Sequence, residues 1–177
     1  MEQKIHQDKM REEQCLVLIK PDGVIKQLTG DIITKLSETG LDIVGAKIVQ
    51  VSKELAEEHY QHLREQKFFG ELIDYITGKY HTKPVVALVY RGTDACRKIR
   101  QISGATNPEE AHPTTIRGKY GRITSKGNFE NVVHASENFQ EAEREIKLWF
   151  RPDELLVTVF PTETKKVTIE RMFWKEE

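Results

Sequence analysis

Six histidines occur, at His6, His59, His62, His81, His112 and His134, and the last has the setting of a nucleophile. It follows the apolar pair Val132-Val133 at the end of an extended segment and stands just before a predicted helix. An imidazole keeps a free lone pair near neutral pH and can attack an electrophile, provided its other nitrogen is held so that one tautomer prevails. Glu145 is a candidate for that hold. At about 100° per residue, Phe139, Ala142, Ile146 and Trp149 form one apolar stripe, and Glu145 falls at its edge, where a partly buried carboxylate needs a donor. Ser136 either caps this helix or binds the same carboxylate.

Phosphate chemistry has no glycine-rich loop to work with: neither GxxxxGK[ST] nor a GxGxxG after a strand occurs. Side chains would have to supply most of the donors. Between Arg97 and Lys126 stand seven Lys/Arg (Arg97, Lys98, Arg100, Arg117, Lys119, Arg122, Lys126) against two acids, Glu109 and Glu110. In a chain with 27 basic and 28 acidic residues this is a local cationic patch, read either as a solvated face or as a set of phosphate donors. Lys20 also has two readings. It marks the water boundary after a buried strand, or it is presented to a ligand at the sheet rim. In Phe68-Phe69, adjacent positions on a helix diverge by about 100°, so one ring can join the core while the other stays free to stack on a base.

The elements that must position these residues follow from patterning. Cys15–Ile19 is a short strand closed by the turn signal Pro21-Asp22-Gly23. Thr29 is expected to cap a helix ending at Gly40, and Asp42–Val51 reads as a strand. Ser52 is the expected N-cap of a helix carrying Leu55, His59 and Leu63, and a short helix spans about 70–77. Pro84–Tyr90 is the clearest strand, and Thr93 is expected to open a helix with Ala95, Ile99 and Ile102 inward. Residues 105–130 read as one long loop, a length more often functional than not. A helix from about Glu137 to Trp149 and a last strand over Glu154–Phe160 complete the order. That order predicts an α+β fold, a ferredoxin-like antiparallel four-stranded sheet with helices packed on it, plus surface helices and the long loop. The expected organisation is a polar tail over 1–13, one domain over 14–160 and an extension over 161–177.

Composition narrows the function classes. A net charge of -1 argues against a nucleic-acid coat or a polybasic membrane anchor. The longest apolar run, Val85–Tyr90, is far shorter than the roughly 20 residues that span a bilayer. Two distant cysteines, Cys15 and Cys96, without a CxxC pair give little support to a zinc site or disulfide framework. The first residues lack the apolar segment of a secretory signal, and a cytoplasmic location is expected.

Taken together, the motifs resemble those of nucleoside diphosphate kinases, from about Gln14 to Leu156. The resemblance is carried by Ile19-Lys20-Pro21-Asp22-Gly23-Val24, His59-Tyr60, Phe68-Phe69, Gly104-Ala105-Thr106-Asn107-Pro108, Thr115-Ile116-Arg117-Gly118, Asn131-Val132-Val133-His134-Ala135-Ser136 and Leu148-Trp149-Phe150. It implies that His134 takes the γ-phosphoryl group, that Glu145 holds the other ring nitrogen and that Tyr60 stands beside the histidine. It also implies that Lys20, Arg100, Thr106 and Arg117 bind phosphates, that Asn131 meets a sugar hydroxyl, and that Phe68 stacks on the base with Leu72 near it. ATP and other nucleoside tri- and diphosphates would be the partners, with no nucleic acid or membrane required. Mg²⁺ would bridge the nucleotide phosphates without protein side chains as metal ligands, and the assembly would be a homo-oligomer, a hexamer or tetramer. The sequence departs from the family at Ala135, where glycine usually follows the histidine. An RNA-binding module of the same fold would need aromatics on its strand faces, but these strands are mainly aliphatic.

Overall fold

A computed structural model of the chain describes residues 12–125, 127 and 129–175. Most of the predicted N-terminal tail therefore lies outside the described residues. The first strand, β1 (Glu12–Ile19), is followed by the short helix α1 (Pro21–Ile25), by α2 (Thr29–Ser37) and by β2 (Asp42–Val49). Next come α3 (Lys53–His59), a 3-10 turn at Gln61–Leu63, α4 (Phe69–Ile76), β3 (Val85–Thr93) and α5 (Ala95–Ser103). The helix α6 (Ile116–Tyr120), a small hairpin of β4 (Arg122–Ile123) with β5 (Phe129–Glu130), the strand β6 (Val133–Ala135) and α7 (Phe139–Trp149) complete the order.

The main sheet is antiparallel, with strand order β2-β3-β1-β6. This is the ferredoxin-like arrangement expected, and β1 is central because Cys15 to Ile19 lose all contact with solvent. Full burial of a Val, Leu or Ile side chain stabilises by roughly 1.5–3 kcal/mol, so this run outweighs any local preference in choosing the middle of the sheet. Helices α5 and α7 pack on β1 through Ile99, Ala142 and Ile146, all in the buried core.

The fourth strand differs from expectation. It is β6, which precedes the last helix, and not Glu154–Phe160, which forms no strand. The latter segment leaves a 3-10 turn at Pro152–Glu154 and runs beside β2 with one backbone bond, Leu156 N–H to the Val44 carbonyl at 2.7 Å. Leu155, Val157 and Val159 pack on the core while Leu156 is exposed, so its burial alternates like a strand's without a ladder. Beyond it the chain is exposed through Trp174.

Three boundaries also shift. Thr29 does not cap α2: the helix begins at Thr29 itself, and Ile32 N–H already bonds to Leu28. Thr93 ends β3, and α5 starts after Asp94 at φ 54°. The long loop contains α6, whose five residues are too few to show periodicity, capped by Thr115 Oγ1 accepting from Gly118 N–H at 3.2 Å. Ser52 caps α3 as expected, accepting from Leu55 N–H. Ala135 is paired with Val17 in ordinary extended backbone, so glycine is not needed there.

Candidate active site

His134 is the middle residue of β6, opposite Leu18 of β1. The strand is short but held at both ends: Lys20 N–H bonds to the Val132 carbonyl at 2.8 Å and Ser136 N–H to the Leu16 carbonyl at 3.1 Å. The histidine side chain keeps about a fifth of its surface, 19%. Its Nε2 lies 3.0 Å from Glu145 Oε1, although its N–H does not aim squarely at that oxygen. The second carboxylate oxygen accepts from Ser136 Oγ at 2.6 Å, and that hydroxyl in turn accepts from Leu16 N–H. Ser136 therefore binds the carboxylate, and Asn138 caps α7 by accepting from Glu141 N–H.

Glu145 is buried. Burial alone would raise its pKa, but the contact with His134, the Ser136 hydroxyl and the Arg144 charge outweigh it and hold the carboxyl below its ordinary 4.5. It is thus an acceptor at neutral pH, able to keep a proton on Nε2 and leave Nδ1 as the free nitrogen.

A second histidine completes this cluster, and sequence reasoning gave it no role. His59 at the end of α3 is fully buried, with its ring edge-on to His134 at 4.5 Å between centroids. Trp149 Nε1 donates to its Nδ1 at 3.1 Å, which places the proton on Nε2. Burial, then the His134 and Arg144 charges, push its pKa well below 6.5, so it is a neutral wall behind the His134 ring. Arg144 fastens it by donating to the Glu58 and His59 carbonyls at 3.2 Å. The available signal was a histidine in the apolar stripe of Leu55 and Leu63, which needs a buried partner; the indole N–H ninety residues away has no signature. Tyr60 is buried with its ring centroid 6.4 Å from that of His134. Burial and the Glu145 charge raise its phenol pKa, so it stays protonated.

Cations converge on the open side. Lys20 is almost fully buried, and no ion pair or hydrogen bond to its Nζ occurs among the described residues. Its pKa is lowered, first by burial and also by Arg117, against an opposing pull from Asp22. Arg117 donates to the Gly104 carbonyl at 2.8 Å and the Val133 carbonyl at 3.0 Å, while its buried Nε has no partner. Burial and the Arg100 charge bring Arg117 down to about 10. A buried lysine and a half-satisfied arginine beside a third cation make a site that favours an anion. Two others of the predicted patch are differently employed, Arg97 pairing with Asp94 and Arg122 with Glu130, while Lys126 lies outside the described residues.

Asn131 is buried and donates through Nδ2 to the Thr106 carbonyl at 2.8 Å, tying the Gly104 loop to β6 while its amide oxygen remains. Thr106 itself is exposed. Phe68 and Leu72 stand on a separate element, one turn apart at the start of α4, with Phe68 exposed and Phe69 packed on the core. A cleft of about 450 Å³ lined by Lys35, Thr39, Lys98 and Gln101 contains none of these residues.

The same side chains are close enough together to be compared with a metal centre. Among the described residues, His59, His134 and Glu145 bring ligand atoms within 4.8 Å of one another. The Trp149 N–H occupies one of those lone pairs, and the enclosed nitrogen-rich trio does not suit Mg²⁺, which takes six oxygens in octahedral geometry.

Comparison with known proteins shows the family to which the chain belongs. The family model described as "Nucleoside diphosphate kinase" matches residues 13–155. The chain is 48% identical over 143 residues to a nucleoside diphosphate kinase of Pyrococcus horikoshii, covering 81% of this chain and 88% of that one. It is 44% identical to human nucleoside diphosphate kinase 3, covering 81% and 80% respectively. Among solved structures it resembles the Borrelia burgdorferi nucleoside diphosphate kinase with bound vanadate and ADP, a transition-state mimic. That likeness has a TM-score of 0.74 and 33% identity over 82% of this chain and 91% of that one. It also resembles the Halobacterium salinarum enzyme in complex with CDP, with a TM-score of 0.73 and 44% identity over 82% and 91%.

Proposed function

Because the chain belongs to the nucleoside diphosphate kinase family and transfers the γ-phosphoryl group of a nucleoside triphosphate to a nucleoside diphosphate, we infer that His134 Nδ1 carries the group between them. The observation that supports this most is the pairing of Nε2 with a buried, hydroxyl-anchored carboxylate, which leaves Nδ1 as the nucleophile beside unpaired cations. In the first half-reaction the Nδ1 lone pair attacks the γ-phosphorus. The bond to the β–γ bridging oxygen breaks, and the nucleoside diphosphate departs with that electron pair. In the second, a terminal oxygen of another diphosphate attacks the same phosphorus, and the lone pair returns to Nδ1.

Lys20, Arg100 and Arg117 would meet charge developing on the phosphate oxygens, with Thr106 a further hydroxyl donor and Tyr60 a protonated phenol. The Asn131 amide oxygen is available to a sugar hydroxyl. Phe68 stacks on the base with Leu72 supporting it, and stacking reads a π-face, so broad base tolerance follows. Mg²⁺, held by the nucleotide phosphates and by no protein side chain, would neutralise charge and orient the triphosphate when bound.

Incubation with ATP and Mg²⁺, followed by nucleotide removal and intact-mass measurement at neutral pH, should reveal one acid-labile phosphoryl adduct that GDP discharges as GTP. Glu145→Gln should form the same adduct about 10- to 100-fold more slowly, since orientation and tautomer suffer while the nucleophile remains. The carboxylate's depressed pKa sets the acid limit of its role: the pairing is intact at and above pH 4.5 and fails as pH falls through the lower folded value. An adduct at the wild-type rate in Glu145→Gln would remove the residue from the mechanism.

No helix among the described residues is long and apolar enough to cross a membrane, and both cysteines are free and buried. Free, buried cysteines suit a reducing compartment, and we place the work of this chain in the cytoplasm. We also assign a homo-oligomer, tetramer or hexamer. Its support is the extension over 161–177, where Val167, Ile169, Met172, Phe173 and Trp174 stand exposed with no core beneath them. Truncation before Pro161 should lower the mass seen by light scattering; an unchanged assembly would show that the extension does not hold subunits together.

A further inference from the structure

The turn after β1 grips a single residue, Val132, from three sides. Val132 is fully buried with φ at 55°, a left-handed conformation that β-branched residues rarely adopt. Its carbonyl accepts from Lys20 N–H at 2.8 Å, and its own N–H donates to Asp22 Oδ2 at 2.9 Å. A β-carbon on Gly23 would lie 3.2 Å from the Val132 carbonyl oxygen and 3.0 Å from Ile19 Cγ2, so the turn closes this tightly because glycine stands there. Two residues beyond Val132 is His134, and the intervening Val133 carbonyl is held by Arg117.

We propose that Asp22 is a positioning residue for phosphoryl transfer, its carboxylate locking Val132 in the left-handed conformation and so aiming the His134 ring. The proposal rests on the reading of His134 as phosphoryl carrier. Asp22 is 3% exposed and forms no ion pair among the described residues, and its Oδ1 has no hydrogen-bond partner. Burying a carboxylate is costly; the Tyr75 phenol and the Lys20 charge face this one, and its Oδ2 accepts from the backbone of the segment that bears the nucleophile. Strand β6 is three residues long at the sheet edge, so few ladder bonds define its course and the dihedral at its entrance decides where it points. Relaxing Val132 to an ordinary φ would swing His134 off Glu145 and leave a buried N–H without an acceptor.

Stopped-flow measurement of phosphoenzyme formation and amide hydrogen exchange at Val132 test this together. Asp22→Ala should slow transfer by about 100-fold, the loss expected of a displacement near 1 Å, with little change in nucleotide KM. Its Val132 amide should lose protection. Asp22→Asn keeps an oxygen acceptor while removing the charge, and should keep most of the rate and the protection. Asp22→Ala with Val132→Gly should recover part of the rate, because glycine adopts φ near 55° without help. A folded Asp22→Ala with an unprotected Val132 amide and wild-type transfer would overturn the proposal. So would an Asp22→Asn that keeps the amide protected yet is as slow as the alanine variant, since charge would then be the cause. Should Asp22→Ala fail to fold, Gly23→Ala presses on the same carbonyl: a lower kcat at constant KM is expected, and an unchanged kcat counts against the clamp. Failure of the underlying reading is seen separately, as a phosphoryl adduct that survives in His134→Ala; exchange at Val132 does not depend on it.

Discussion

His134→Ala is expected to leave a folded protein without nucleoside diphosphate kinase activity and without any phosphoryl adduct after exposure to ATP. The side chain is only partly buried and sits on a short edge strand whose backbone bonds are made by Lys20, Ser136 and Leu16, so its removal costs the fold little. The loss in activity should be on the order of 10⁵-fold or more, the scale seen when a covalent nucleophile is removed. Glu145 would remain buried with Ser136 as donor but without the ring, so its carboxyl should titrate nearer its ordinary value. Coupled assay of GTP formation and intact mass read both results. Residual turnover within a hundredfold of wild type would mean that another group carries the phosphoryl.

Lys20→Met should separate activity from stability, with opposite signs. The lysine side chain is almost fully buried, its ammonium has no ion-pair partner among the described residues, and its pKa is lowered chiefly by that burial. A cation whose folded pKa lies below its unfolded 10.5 weighs against folding at neutral pH; the penalty fades as pH rises from the folded value to 10.5. Replacing it by an apolar side chain of similar length removes the penalty, so the melting temperature at pH 7 should rise. Transfer should fall by about 10²- to 10³-fold, the usual cost of losing one preorganised donor to a charged transition state. In the wild type, kcat/KM should decline on the alkaline side earlier than an exposed lysine would allow, and kcat later, because bound phosphate favours the ammonium. A Lys20→Met enzyme that is both less stable and fully active would contradict the assignment.

How much of this was legible in the residues depends on how locally each feature is encoded. The central strand was readable because Cys15–Ile19 is apolar without interruption, and α7 because its apolar stripe repeats at helical spacing. Glu145 could be placed for the same reason: a carboxylate at the edge of such a stripe needs a donor. Strand β6 escaped recognition because three residues with a polar middle carry no periodicity, and its pairing with β1 is a long-range event. The segment Glu154–Phe160 misled for the opposite reason, since alternating burial against a bulged β2 imitates a strand without the ladder. His59 was visible only as part of an apolar helix face. Its role comes from Trp149, which patterning marks as core and whose N–H direction no local rule supplies. The clamp on Val132 was equally hidden: Pro-Asp-Gly announces a turn but not that the aspartate reaches across to residue 132.

The cluster around the reacting ring is assembled from pieces scattered along the polypeptide, and its final supports, Glu145 and Trp149, both lie on α7. A ribosome that has released everything through β6 has therefore made the nucleophile but not the carboxylate that selects its tautomer, nor the indole that seats His59. Helices can form locally and early, whereas these contacts must wait for the last one to dock on β1. The orientation of the His134 ring and the seat of His59 are thus completed together, in one late step of folding, when α7 docks.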